Sequence, residues 1–139
     1  MIAIMYDGLE LGTFHDENGK LVLKLNDNIH KQWLPYIFEL GLDNGTDMNE
    51  VITAWKKERV FPKNRLNSRK LLRELGLKKY DVDKIAEITR CSVVTDPYWL
   101  VYKDTDRYHT ESIRGQLGES HYPYNSIGVR DEDKYIWRK

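Results

Sequence analysis

The segment from Trp55 to Trp99 constrains the fold most. It holds two basic, helix-like stretches, a proline break between them and an Asp-Pro-Tyr-Trp ending. Asp47 opens the helix that leads into it: with Glu50 three residues on, it makes a pair resembling a capping box. Met48, Val51, Ile52 and Trp55 follow at i, i+3, i+4 and i+7, one apolar face. Pro62 disfavours helical backbone at Phe61, so this helix ends near Arg59. A second helix is expected over 64–75, with Leu66, Leu71, Leu72 and Leu75 inward and Gly76 as its stop. Asp81 is a suitable N-cap for a third, from Val82 to about Arg90. Its inward residues are Val82, Ile85, Ala86 and Ile88–Thr89. Asp before Pro97 starts a turn, and the aromatic, β-branched run Tyr98-Trp99-Leu100-Val101-Tyr102 reads as a strand.

Upstream, period-2 alternation predicts three strands. Residues 2–6 form a short apolar run closed by the turn signal Asp7-Gly8. Leu9, Leu11 and Thr13 alternate with Glu10 and Gly12, and a second turn is expected at 16–19. Leu21, Leu23 and Leu25 make the third strand. A meander of this size needs something to cover its apolar face. In the stretch 29–41, Trp33, Ile37 and Leu40 lie at helical spacing around Pro35, which predicts a loop and a short helix from Pro35 to Gly41. The fold class expected is therefore α+β: a small antiparallel sheet, from the three-stranded meander plus a strand near 98–103, packed with about three helices. Residues 1–103 form the domain. Residues 104–139 show no clear period and are expected to be an irregular extension, with one short helix at 110–117 and apolar anchors at Ile113, Leu117, Ile127, Val129, Ile136 and Trp137.

A chain of 139 residues with 40% hydrophobic and 32% charged residues fits one globular domain rather than a disordered polymer. Basic and acidic residues number 22 each, so only their arrangement can point to a partner. One cysteine excludes an internal disulfide and suits a reducing compartment. No apolar run approaches the roughly 20 residues that span a bilayer, and the N-terminus lacks a signal-peptide pattern. The expected setting is the cytoplasm, with no membrane association.

Catalytic and metal chemistry find little support. Cys91 has no local histidine, and a small buried filler after a helix is the favoured reading. His15, His30, His109 and His121 are scattered without zinc-ligand spacing. The carboxylates Asp104 and Asp106 and the run 131–133 are spaced like solvated loops. No enzymatic activity, metal or cofactor is expected. What stands out is charge: Trp55–Lys79 carries ten Lys/Arg against two Glu. Lys56, Lys57 and Arg59 sit at a helix end, where cations suit the dipole. Lys63 and Arg65 flank the turn. Arg69, Lys70 and Arg73 lie on the polar face of the next helix, followed by Lys78 and Lys79. Two readings stay open: a nucleic-acid footprint on a loose helix-turn-helix, or solvated faces opposite an apolar stripe. Arg59 and Arg65 bracket Phe61-Pro62. They either grip a carboxylate bidentately or cap carbonyls, or pair internally, with Asp96 or Glu58, to fix the turn; the internal pairing is preferred.

The series Trp55, Arg59, Phe61, Pro62, Arg65, and then Ser92, Thr95, Asp96, Tyr98 and Trp99, resembles a group of small bacterial proteins associated with HipA-type kinases. The matching segments there are Trp-x-x-x-Arg-x-(Ile/Phe)-Pro-x-x-Arg and Ser-Leu-(Ser/Thr)-Asp-x-Tyr-Trp. The strand-rich start is similar to the N-terminal subdomain of those kinases. The resemblance covers roughly residues 1–103. Val93-Val94 departs from the Leu-containing link, and the tail lacks the Trp-x-x-Val-Asn-Phe segment that often follows. The resemblance implies a non-catalytic accessory or antitoxin-like module that sits beside a Ser/Thr kinase and has a protein partner. Trp55, Pro62, Asp96, Tyr98 and Trp99 are then architectural, and the basic side chains are the contacts. The alternative is a nucleic-acid-binding protein. An inhibitor of a host defence nuclease, of the anti-CRISPR kind, carried by a phage or mobile element, would use the same basic face.

Overall fold

The computed structural model describes residues 1–93, 95–104 and 106. The expectations for a helix at 110–117, for the tail anchors, and for His109, His121 and the 131–133 run lie outside the described residues. The fold is α+β. A four-stranded antiparallel sheet of order β3-β2-β1-β4 carries β1 (Ala3–Tyr6), β2 (Leu9–Glu17), β3 (Lys20–Leu25) and β4 (Tyr98–Val101). Four α-helices fall between β3 and β4: α1 (Tyr36–Asn44), α2 (Met48–Arg59), α3 (Ser68–Glu74) and α4 (Val82–Thr89). A single 3-10 turn, Lys31–Trp33, precedes α1.

Local chemistry sets the first hairpins. Asn18 and Gly19 both take positive φ, 51° and 81°, the pair of left-handed residues that a tight two-residue hairpin needs. The turn is shorter than expected, because β2 runs on to Glu17. The even alternation expected for β2 also fails. Ile4 faces Gly12 but Met5 faces Glu10, so Leu11 is an extra residue opposite β1. This bulge shifts the side-chain phase. Leu11 stays in the core, Leu9 is left 46% exposed, and beyond the bulge Phe14 takes the buried position instead of Thr13.

The helices cover one face of the sheet. Ile4, Phe14, Leu21, Leu23 and Leu100 point towards Phe38, Met48, Val51, Ile52, Trp55, Phe61, Leu71, Leu75, Ile85 and Ala86 in one continuous core. The α2 face read from the sequence is buried in full. Asp47 caps α2 as expected, its Oδ1 accepting from Asn49 N–H at 2.9 Å. The same oxygen accepts from Leu21 N–H at 3.0 Å, which ties the helix start to β3. Asp81 caps α4 by accepting from Asp83 and Lys84 N–H groups. On the opposite face Ala3, Met5, Trp99 and Val101 form a second, smaller buried cluster.

Three helix expectations need correction. The first helix does not stop at Gly41 but continues to Asn44 and ends on Gly45, at φ 66°. Gly41 serves packing instead: a Cβ there would lie 2.7 Å from Val51 Cγ2, so a side chain would push α1 and α2 apart. The inward residues before and along α1 are Leu34 and Phe38, while Trp33 and Leu40 are 47% and 44% exposed. Finally, the second expected helix begins only at Ser68, and Leu66 is 97% exposed. The chain from Val60 to Asn67 is a turn-rich connection with hydrogen bonds from Arg65 N–H to Pro62 C=O and from Ser68 N–H to Arg65 C=O. That geometry leaves Leu66 off any helical face.

Candidate functional site

Arg59, the last residue of α2, is 8% exposed despite its charge. Its guanidinium lies over the Trp55 ring, with Cζ 4.0 Å from the ring centroid. It grips Asp96 bidentately, with Nη1 and Nη2 donating at 2.7 and 2.8 Å. Nε donates to Cys91 C=O at 2.6 Å, and Nη2 also donates to Tyr98 C=O at 2.9 Å. The carboxylate expected for Arg59 is thus Asp96 rather than Glu58. The guanidinium is spent on its own chain and is no exposed contact. Asp96 Oδ1 in turn accepts from Tyr98 N–H at 3.0 Å. Both peptide groups of Tyr98 are therefore fixed by the Arg59–Asp96 latch.

The strained turn between α4 and β4 is held by the same set. Arg90 and Cys91 both sit at φ 56°, a backbone conformation that side chains disfavour. Cys91 is tied by Arg59 through its carbonyl. Arg90 accepts at its carbonyl from Leu100 N–H at 2.8 Å, and its Nε lies 2.9 Å from Asp106 Oδ1. Asp106 is 3% exposed, which corrects its reading as a solvated loop residue. Burial opposes its charge. The N–H groups of Lys103 and Tyr102 and the Arg90 guanidinium outweigh that penalty and hold the carboxyl below the ordinary carboxylate value. Cys91 is the buried filler expected. Burial pushes its thiol up, so it is no poised nucleophile.

The latch positions an exposed aromatic cleft. Tyr6, Leu9, Leu11, Trp33 and Tyr98 line a depression of about 350 Å³. The Tyr98 ring meets Tyr6 edge-to-face, centroids 5.4 Å apart, and its hydroxyl donates to the Trp33 C=O. Burial raises the Tyr98 hydroxyl above its usual value. Tyr6 and Trp33 are 43% and 47% exposed, and Tyr36 and Leu40 add further exposed apolar surface on α1. Large aromatics held open by internal hydrogen bonds suit a docking surface, where rigid, half-apolar rings bind at low entropy cost. Of the five architectural residues read from the sequence, Tyr98 lines this cleft, and Trp55 and Asp96 support it through Arg59. Trp99 turns to the other face and donates from Nε1 to Asp7 C=O at 2.8 Å. Pro62 is exposed, next to the fully buried Phe61.

Sequence reasoning missed Tyr6, Leu9 and Trp33 as a site. The signal was Tyr6 and Leu9 closing one hairpin, but nothing local placed Trp33 beside them.

The basic residues divide differently. Lys56 is only 13% exposed in its side chain and bonds Asp83 of α4 at 3.0 Å. Arg65 is half-buried. Lys57, Lys63, Arg69, Lys70, Arg73, Lys78 and Lys79 are exposed. The helix pair is not a tight helix-turn-helix, since α3 is only 7 residues and follows the long Val60–Asn67 connection. Tyr80 tethers that connection, its hydroxyl donating to Phe61 C=O at 2.7 Å and its ring meeting Phe61 edge-to-face. Among the described residues no group of His, Cys, Asp and Glu is placed to hold a metal ion, and no helix is long and apolar enough to cross a membrane. No protein-family model, curated protein or solved structure matches the chain.

Proposed function

We propose that this chain is a non-catalytic protein-interaction module: an accessory or antitoxin-like regulator of a HipA-type Ser/Thr kinase, acting in the cytoplasm in a toxin–antitoxin or mobile-element setting. The observation that carries the interaction role is the aromatic cleft of Tyr6, Leu9, Trp33 and Tyr98, open to solvent and braced from behind by Arg59 and Asp96. Its kinase partner follows from the resemblance around Trp55, Arg59, Pro62, Asp96, Tyr98 and Trp99. The mechanism is occlusion, with the cleft docked on the partner and the basic segment steering the approach.

Co-expression with a Ser/Thr kinase encoded by the neighbouring gene tests it. A stable complex on gel filtration is expected, and Trp33→Ser should weaken it at least about tenfold, as truncation of an interface aromatic does. If no kinase lies next door, or the two proteins elute apart, this reading fails.

A second reading has its own observation: seven exposed cations between Lys57 and Lys79 against two glutamates in that span. Here the chain binds nucleic acid, or masks a nuclease's nucleic-acid contacts. Affinity for DNA or RNA would then fall steeply with salt. Charge reversal at Arg69, Lys70 and Arg73 should abolish it, and undetectable binding at low salt would end it.

A further inference from the structure

The two faces of the sheet are covered differently. Alternation along β1 and β4 puts Ile4 and Leu100 on the helix side and Ala3, Met5, Trp99 and Val101 on the other. Across the ladder Ala3 pairs with Val101 and Met5 with Trp99, so the four lie together. The helices α1 to α4 bury their apolar residues on the helix side. Yet Ala3, Trp99 and Val101 are fully buried, and Met5 is 5% exposed. Among the described residues, Ile2 is the one partly buried apolar side chain packed against them. A tryptophan on a bare sheet face would keep much of its ring in water, so a further layer is required on this side.

That layer is limited in width. Further across the same face, His15 and Glu17 of β2 and Lys20 and Lys24 of β3 are exposed, and Thr13 and Val22 are half-buried. The dry part is two strands wide, about 10 Å at the usual strand spacing. A single helix is about 10–12 Å across. The burial is complete within one copy of the chain, so its source is the same copy. The chain leaves the sheet at the Ala3–Val101 end. There β4 stops, and Asp106 is held by the Tyr102 and Lys103 N–H groups and by Arg90. From that anchor the chain runs on to Lys139. Its first aliphatic residues are Ile113 and Leu117, four apart and on one face of the helix expected at 110–117. Between Asp106 and Ile113 an extended chain reaches about 23 Å. The buried face needs only about 7 Å along each strand.

We propose that the chain's own C-terminal segment, residues 107–139, covers this second face, with Ile113 and Leu117 seated on Met5, Trp99 and Val101. The sheet is then a middle layer, with α1 to α4 on one side and the C-terminal segment on the other. Asp106 fixes where the segment starts. Tyr98 alternates with Trp99, so the aromatic cleft lies across the sheet from this cover. Neither a kinase nor a nucleic acid is needed for it.

Nuclear magnetic resonance on the isotope-labelled full chain tests it, with a soluble neutral gadolinium chelate as the probe of exposure. In the wild type the Met5 and Val101 methyls should relax as slowly as those of Ile52, which lies under the helices. Ile113→Asp/Leu117→Asp should speed their relaxation severalfold and leave Ile52 unchanged. A nitroxide on Gln116→Cys gives a second reading without loss of an apolar side chain; Cys91 is buried and escapes the label. It should broaden Met5, Trp99 and Val101 more than Ile52. The broadening should vanish when spin-labelled chains without isotope are mixed with isotope-labelled chains without a spin label. If the double variant unfolds by circular dichroism, the nitroxide decides. A face that the chelate reaches in the wild type, protection that survives the double variant, a nitroxide that spares the face, or broadening seen only between copies would each overturn the proposal.

Discussion

Arg59 and Arg73 lie on successive helices of the same basic stretch, yet they belong to different regions of the molecule. Around Arg59 every charge is committed: Arg59 to Asp96, Cys91 and Tyr98, and Arg90 to Asp106. Along the Val60–Lys79 span most cations point into solvent, on a connection and a two-turn helix. The difference is burial. A charge removed from water is tolerated only when its donors are satisfied, so the buried arginines are bound into fixed geometry. The exposed ones keep their contact with water and need no such fixed geometry. Local charge density in a sequence does not distinguish the two kinds.

That contrast predicts a graded mutational response. The largest effect is expected at the latch. Arg59→Leu keeps the bulk but strands the Asp96 carboxylate and two carbonyls, and should cost about 3–5 kcal/mol in urea denaturation, as for a broken buried pair. Asp106→Asn should cost about 1–3 kcal/mol, since it weakens bonds from two N–H groups and Arg90. It also carries a pH signature. The Asp106 carboxyl is held below the ordinary value of 3.8, so its contribution is present above that value and is lost as pH falls through the lower folded one. The wild type should lose more stability than Asp106→Asn as acidification passes through that window; parallel stability–pH curves would contradict it. Tyr80→Phe breaks the tether between the basic connection and the body, and about 1 kcal/mol of destabilisation is expected by thermal melting. Arg69→Gln/Arg73→Gln should change stability by no more than about 0.5 kcal/mol. A larger loss there would mean that the exposed cations are structural after all, and the comparison would collapse.

Much of the fold was legible because it rests on local signals. The Asp47 and Asp81 caps, the Asn18-Gly19 turn and the α2 face each arise within a few residues. The failures share a different cause. The β2 bulge at Leu11, the burial of Phe38 in place of Trp33 and Leu40, and the exposure of Leu66 all depend on what another element presents across the core. Gly41 was read as a stop because glycine ends helices often, but the neighbour that required it, Val51, lies on the next helix. In the candidate site the latch residues were visible as spacing, and the preferred internal pairing of Arg59 holds. The cleft they support was not, because Trp33 and Tyr98 are brought together by a hydrogen bond across 65 positions.

By itself the sequence determined the fold class, two hairpins, the starts of α2 and α4 and the chemical character of the Trp55–Trp99 segment. These follow from backbone propensity, caps and periodicity, which act over one or two turns of chain. Only the tertiary structure decided which charges are buried and which aromatics face water. Those outcomes depend on desolvation and on distant partners. A hydrogen-bond donor is satisfied, or a ring is covered, only by what the rest of the chain places beside it.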